Sequence, residues 1–452
     1  MAAIRASQLG AKVVLIEKDR IGGTCLNRGC IPTKSLLWDA KLLRSIKRST
    51  VFQPLSSDGR DLIGPMMERK QKVVQDLLKG IEMVLASHRV VIKSGSGDLL
   101  GLHEVVVKEA EQREIIKADS IILAMGSKPK ALAGITPDGE GIITSDEALE
   151  IRNVPRDLVI IGGGYIGVEF ATFFHALGSH VTIVEVLERI LPGLEGEMVR
   201  YLRRLMEGDG IRILTGSGVE EIIRDAGALR LVVRTSAGLE EIPAEKVLLS
   251  VGRVPNPEVD LSKAGVETLP SGIRVNRRME TTAPSVYAVG DVTGGMMLAH
   301  VASEEGTVAA ENIMGADREM ESDAIPFCVF SNPEIASVGM TEKEARARGP
   351  MKIGRFPFRS NPAAAISGET EGLIKVIADQ GEDRIVGVHI IGHDAGTLIS
   401  IASSLMKQGI KASEFSKSVQ AHPTSPEALK EAFLDVAGLA IHLPKPLRAQ
   451  KH

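Results

Sequence analysis

The chain has 452 residues, 44% of them hydrophobic, with 54 basic and 58 acidic side chains and a formal net charge of −4. That length suits about three domains at roughly 150 residues each, and near-balanced charge leaves no basic footprint for nucleic acid. Three cysteines in all exclude a disulfide-stapled secreted scaffold. The longest apolar stretch, "LVIIGGGYIGVEFATFF", is broken by glycines and Glu169, so no membrane span is expected. The first residues carry Arg5 and Lys12 but no signal-like apolar block. The expected setting is cytoplasmic and reducing, where a close cysteine pair is more often catalytic or metal-binding than structural.

The first stretch, "QLGAKVVLIEK", reads as a helix end, a strand and an acid, Glu17. It is followed by "IGGTCLNRGCIPTK", which sets Cys25 and Cys30 five positions apart. From about residue 35 to 90, Lys, Arg and Leu at helical spacing predict one or two surface helices. The clearest unit comes next, in "DLVIIGGGYIGVEFATFFHALGSHVTIVEV". Here a strand, Leu158 to Ile161, runs into Gly162, Gly164 and Gly167 in GxGxxG spacing, then a helix, then a strand closing on Glu185. Such glycines let backbone N–H groups approach a pyrophosphate at a helix N-terminus. Glu185 is placed to accept hydrogen bonds from a ribose diol and to repel a 2′-phosphate, which favours NAD over NADP. The plainer alternative is an ordinary βαβ turn.

The opening repeats this unit in part. Leu9, Gly10, Val13 and Glu17 match Leu177, Gly178, Val181 and Glu185, each pair 168 positions apart. The same offset sets the counterparts of Gly162, Gly164 and Gly167 before residue 1. The first strand and phosphate loop, roughly 15 to 20 residues of such a unit, are therefore expected to be missing from this sequence, and its grip on a dinucleotide to be weak. Further on, "RLVVRT", "KVLLSVG" and "SVYAVGD" read as short strands. From about residue 324 strands and helices alternate in a separate α+β texture.

Three readings compete for the cysteine pair: a structural disulfide, a metal site or a redox couple. In a regular helix, residues five apart lie about 8.7 Å apart at Cα, beyond the roughly 7 Å limit for a disulfide. Gly29 gives the latitude to loosen the helix start, and Pro32 suits a first turn, where no N–H is needed. A helix N-terminus lowers a thiol's pKa. A structural zinc site needs four ligands, and no second Cys-x-x-Cys or nearby His pair supplies them. Cys328 reads as a buried apolar thiol. His422, taken alone before Pro423, is an ordinary turn residue.

"GGTCLNRGCIPTK" resembles the redox-active signature of the class I flavin-dependent pyridine nucleotide–disulfide oxidoreductases, and the likeness runs from residue 1 to about 437. "SIILAMGSKP", "VLLSVGRVPN", "SVYAVGDV" with "MLAHVASEEG", and "QAHPTSPEALKEA" are similar to further motifs of that family, in its order. Among its members the chain looks most like those that oxidise dihydrolipoamide. The resemblance implies an α/β fold with two Rossmann-like domains, for FAD and NAD, and a C-terminal α+β dimerisation domain. The FAD-binding part with a central region would span 1–148 and 272–320, the NAD-binding domain 149–271, and the dimerisation domain 324–452.

The resemblance also implies roles. Cys25 would be the interchange thiol and Cys30 the thiolate against the flavin. His422 would move protons, oriented by Glu427, and would serve the cysteines of the other subunit of a homodimer. Lys34 and Glu169 would pair beside the flavin ring. Glu17 and Asp291 would bind the flavin's ribose and ribityl chain, with Gly22, Gly23, Thr24, Gly126 and Ala299 lining it. Gly252 would lie on the nicotinamide side. No metal is expected. The implied partners are lipoyl domains of a 2-oxo-acid dehydrogenase or glycine cleavage complex. Two departures stand out: Met125, where a hydroxyl contact is expected to be lost, and Pro426, expected to displace Glu427 from His422. The alternatives are a glutathione- or mercuric-reductase-like enzyme, or a catalytically impaired truncated paralogue.

Overall fold

Two helix–strand repeats 168 residues apart organise the N-terminal two-thirds of the chain. The computed structural model describes residues 1–49, 51, 59–225, 228–256 and 259–444. Part of the expected helical stretch, 50 and 52–58, and the tail of the expected C-terminal domain, 445–452, lie outside the described residues. Helix α1 (Ala2–Gln8) turns through Gly10 into strand Val14–Glu17, which pairs in parallel with Val91–Ser94. Between those strands lie α2 (Gly23–Arg28), α3 (Cys30–Arg48) and α4 (Ile63–Ser87). α3 buries Leu36, Leu37, Ala40 and Leu43, and α4 buries Ile63, Met66 and Leu85, the stripe that helical spacing predicts. A three-stranded antiparallel sheet, Ser96–Leu99, Glu104–Glu109 and Gln112–Lys117, follows.

The second unit is a five-stranded sheet ordered Arg212–Leu214, His180–Val184, Asp157–Ile161, Lys246–Leu249, Ile142–Ile143, all parallel. Its edge strand at Ile142 starts ahead of residue 149. Helices α5 (Ser145–Ala148), α6 (Tyr165–Ala176) and α7 (Gly196–Asp209) belong to it, and an antiparallel sheet of Gly218–Asp225, Ala228–Thr235 and Gly238–Ala244 covers one side. The chain then returns. Val286–Ala288 pairs with Ile121–Leu123, and Arg253–Pro255 with Ser127–Pro129, before α8 (Ala299–Ile313).

The remainder is an antiparallel five-stranded sheet, Phe327–Val329, Ile335–Gly339, Ile385–Ile391, Leu373–Asp379 and Met351–Pro357 in spatial order. It carries α9 (Glu342–Arg348), α10 (Pro362–Ser367), α11 (Ala395–Lys407), α12 (Ala412–Phe415) and α13 (Pro426–Asp435). The expected α/β class, with paired dinucleotide-binding units and an α+β C-terminal domain, is the class observed.

One apolar cluster joins these parts. Leu36 and Leu43 of α3, Phe170, Phe173 and Phe174 of α6, and Val329 and Ile335 of the C-terminal sheet all share it. A second tie is Lys375. Its buried ammonium lies 2.9 Å from both Glu195 and Glu197 and also bonds Glu342, fastening α7 to the C-terminal sheet. The lysine occupies the centre of the closest carboxylate cluster among the described residues. No helix among them is long and apolar enough to cross a membrane.

Candidate active site

The cysteines sit where one helix stops and another starts. Gly29, at φ −140° and ψ −117°, ends α2 and caps α3, and a Cβ there would come 2.9 Å from the Thr24 carbonyl. The break leaves Cys25 in α2 and Cys30 at the first residue of α3, with Pro32 in the opening turn. The regular-helix separation is thereby avoided. The two half-buried thiols are free and hydrogen-bonded to each other.

Their electrostatics are asymmetric. The hydrogen bond from Cys25 lowers the Cys30 pKa to about 7; burial opposes this, and the charge of Lys34 supports it. Cys25 is pushed up by the same hydrogen bond and by burial. Of the two thiols, Cys30 is the one its surroundings favour as thiolate. Such a thiolate is both the nucleophile and the better leaving group in disulfide exchange.

Lys34 lies one helical turn beyond Cys30. Its Nζ is 2.8 Å and 3.0 Å from the two oxygens of Glu169, a carboxylate of α6 only 3% exposed. Glu169 also accepts the Phe330 N–H at 3.0 Å, and the lysine lies 4.9 Å from the centre of the Phe330 ring. Burial pushes Cys328, nearby, up to about 11, as suits an inert packed thiol.

The glycine loop after Ile161 is shaped by close approach. A Cβ at Gly162 (φ +109°) would fall 2.5 Å from the Ser250 carbonyl, and one at Gly167 only 2.1 Å from the Gly162 carbonyl. Gly164 faces open space. At the lip of this loop the buried Glu185 accepts the Gly163 N–H at 2.6 Å and the Leu187 N–H at 2.8 Å. Acid and loop are therefore one unit.

On the other side, Glu17 ends the first strand, accepts the Asp19 N–H at 2.9 Å and is pushed up by burial. Gly22 caps α2 in the left-handed region, and Gly23 and Thr24 begin that helix. Asp291 accepts the Ser127 hydroxyl at 2.5 Å, and Arg253 donates to the Ser127 hydroxyl and carbonyl at 2.7 and 2.8 Å. Ala299 is the first residue of α8. Gly126 and Gly252 both face open space. Asn256 donates its N–H to the Gly126 carbonyl at 3.0 Å, while its buried Oδ1 has no hydrogen-bond partner among the described residues. An orphaned acceptor and bare backbone along this line fit a long polar cofactor such as FAD, with Glu17 and Asp291 able to hold its hydroxyls.

His422 and Glu427 meet ahead of α13. The ring Nδ1 is 2.9 Å from one carboxylate oxygen, and the other accepts the Thr424 N–H at 2.9 Å. Burial alone would raise Glu427, but the Thr424 and His422 bonds together outweigh it and hold the carboxyl below its ordinary range. Pro426 does not displace the glutamate, contrary to the sequence expectation. It occupies the first position of α13, where no N–H is required. His422 is 68% exposed, so within one chain it faces outward rather than onto Cys25. Met125 packs into the cluster around Leu123, Val286 and Ala288.

Four neighbours escape the sequence reading. Ser127, Arg253 and Asn256 lie inside "SIILAMGSKP" and "VLLSVGRVPN", so those motifs hold the signal. Phe330 has no local signal, since only folding brings it to Lys34.

The chain belongs to the pyridine nucleotide-disulphide oxidoreductases. Residues 1–306 match that family and residues 325–433 match its dimerisation domain. FAD and NAD(H) are the family's cofactors. It is 38% identical over 446 residues to a dihydrolipoyl dehydrogenase of Bacillus subtilis (strain 168), covering 98% of this chain and 97% of that one. To the mitochondrial dihydrolipoyl dehydrogenase of Pisum sativum it is 37% identical, covering 98% and 90%. The leghemoglobin reductase of Glycine max is 38% identical, with 96% and 84% covered. Among solved structures, the HOCl-induced flavoprotein disulfide reductase RclA of Escherichia coli superposes at TM-score 0.85 with 27% identity, covering 96% of each chain.

Proposed function

We propose that this oxidoreductase is a dihydrolipoyl dehydrogenase, passing two electrons from protein-bound dihydrolipoamide through the Cys25–Cys30 pair and FAD to NAD+. The observation that supports it most directly is the hydrogen-bonded thiol pair across the Gly29 break, with the Lys34 charge favouring the Cys30 thiolate. In the oxidised enzyme the pair is a disulfide. One dihydrolipoamide thiolate attacks the Cys25 sulfur, and Cys30 leaves as thiolate, stabilised by Lys34. The second substrate thiol, deprotonated by His422, attacks the mixed disulfide, which releases cyclic lipoamide and returns Cys25 as thiolate. Glu427 holds the His422 tautomer and steadies the imidazolium. FAD, which Glu17 and Asp291 would help hold, would supply the two-electron chemistry that links the thiol pair to NAD+.

Because His422 faces outward, the reading includes a homodimer in which it serves the partner's cysteines, in keeping with the dimerisation domain. The partners follow as lipoyl domains of a 2-oxo-acid dehydrogenase or glycine cleavage complex. His422→Gln should lower lipoamide turnover by roughly 10²–10⁴-fold, with NADH–ferricyanide activity retained. The test of the reading is lipoamide-dependent NADH oxidation by the FAD-loaded full chain. Activity with glutathione disulfide and NADPH in its place would overturn it.

Glu185 is the proposed ribose ligand. Charge-assisted hydrogen bonds contribute about 1.5–3 kcal/mol, roughly 10–150-fold in affinity. Glu185→Ser should therefore narrow the NADH-over-NADPH preference in kcat/KM by that factor. An unchanged ratio would remove Glu185 from cofactor selection.

A further inference from the structure

A line of polar contacts runs from the helix that begins at Cys30 to the segment bearing His422, and the mechanism above leaves it unused. Lys41, on α3, lies 3.2 Å from Glu369, just after α10. Glu369 bonds Nδ1 of His393, and Nε2 of the same ring is 3.1 Å from Asp394. Asp394 accepts the Ser425 hydroxyl at 2.8 Å. Ser425 is the buried N-cap of α13, yet it makes no cap bond of its own; its hydroxyl points to Asp394 instead. Asp394 is itself held in the left-handed region, at φ +55° and ψ +25°, a conformation a non-glycine residue keeps only where its surroundings impose it.

We infer that Lys41, Glu369, His393, Asp394 and Ser425 form a positioning network for the His422–Glu427 pair, with His393 the residue whose protonation sets how firmly that pair is held. The chemistry of an imidazole between two carboxylates carries this. Doubly protonated, His393 bonds Glu369 through Nδ1 and carries a charge that attracts the Asp394 carboxylate, 3.1 Å from Nε2; neutral, it no longer holds Asp394 by charge. Losing that attraction loosens Asp394, the acceptor that Ser425 uses. The first residues of α13, and with them Glu427, then lose a lateral hold. Another is the buried Asn361, whose amide donates to the Thr424 carbonyl at 3.1 Å.

The charged groups facing His393 are Glu369 and Asp394 on its flanks and Lys41 from α3; the half-buried Glu334 lies near Lys41, Asp394 and Glu369. The Glu369 hydrogen bond raises the His393 pKa, burial opposes it, and the Asp394 charge adds to it. A raised folded-state value means the clamp is complete below the ordinary histidine range, about 6.5. It is released as pH climbs through the higher folded value.

The network also has a direction. In the homodimer proposed above, His422 of a chain serves the partner's cysteines, whereas Lys41 sits on α3, the helix that begins at the chain's own Cys30. The network would then link the two composite sites of the dimer. That last step rests on the proposed function; the network itself does not.

The test is a histidine-resolved NMR titration of the FAD-loaded full chain, with His393 and His422 assigned by substitution. In the parent, the His422 signal should shift with an extra inflection at the His393 pKa. His393→Gln and Ser425→Ala should each abolish that inflection, and Ser425→Thr should restore it. In parallel, His393→Gln should lower lipoamide kcat by about 2- to 30-fold, the range such contiguous networks transmit. It should also flatten the matching step in the pH profile, with flavin content and NADH–ferricyanide activity unchanged. Identical His422 titration curves in parent, His393→Gln and Ser425→Ala would overturn the inference, whatever the substrate. An extra inflection in a parent that does not turn over lipoamide would leave the network standing and sink the dihydrolipoyl reading alone. Should His393→Gln fail to fold, Asp394→Asn and Ser425→Ala carry the same comparison.

Discussion

Cys25→Ser abolishes lipoamide-dependent NADH oxidation while NADH still reduces ferricyanide. This is the largest functional effect expected of any single substitution here. The reason is chemical rather than structural. A serine oxygen fills the space of the sulfur and can still donate a hydrogen bond to Cys30, so the fold around Gly29 is kept. It cannot form the mixed disulfide through which substrate electrons enter, because exchange requires a sulfur under attack. Electron flow from NADH to an artificial acceptor needs no such sulfur. The check is a pair of steady-state assays on one flavin-loaded preparation. Lipoamide turnover within tenfold of the parent would show that Cys25 is not the interchange residue.

Lys34→Met has the largest expected effect on stability. Glu169 is 3% exposed, and with the ammonium gone only the Phe330 N–H at 3.0 Å remains to it. Leaving a buried carboxylate without its counter-ion costs roughly 3–5 kcal/mol, read as a lowered urea midpoint of the flavin-loaded protein. The substitution also removes a charge that lowers the Cys30 pKa, so that value should rise from about 7. A thiolate stabilised by a cation loses reactivity toward iodoacetamide near neutral pH when the cation is removed. The double substitution Lys34→Met with Glu169→Leu separates the two effects. Stability should recover, because no uncompensated charge stays buried. The Cys30 shift should recover only in part, because Glu169 opposed the lysine there and both are gone. A single variant as stable as the parent would mean that water reaches Glu169 and that the pair is no buried bridge.

The strands and helices that carry the site were legible because their signals are local. The apolar run before Gly162 and the glycine spacing place a strand, a loop and a helix, and the structure has them at Asp157–Ile161 and Tyr165–Ala176. The repeat of "ALGSHVTIVEV" in "QLGAKVVLIEK" foretells a helix end and a strand, found at Ala2–Gln8 and Val14–Glu17. Pro426 was misjudged because its meaning depends on helix phase. In a helix interior or a central strand its missing N–H would disrupt; at the first position of α13 it costs nothing.

By itself, the sequence determined the paired dinucleotide-binding units, the C-terminal α+β domain and the membership of Cys25 and Cys30 in one motif, since periodicity, glycine spacing and short-range patterning act over neighbouring residues. Only the tertiary structure decided that Lys34 is neutralised by Glu169, 135 positions away, and capped by Phe330, 161 beyond Glu169. It also decided that the surroundings favour the thiolate at Cys30 over Cys25 and that Lys41 connects through His393 to Ser425. These are contacts between elements far apart in the chain. Their energies come from burial and charge in a shared interior, which no local stretch of sequence encodes.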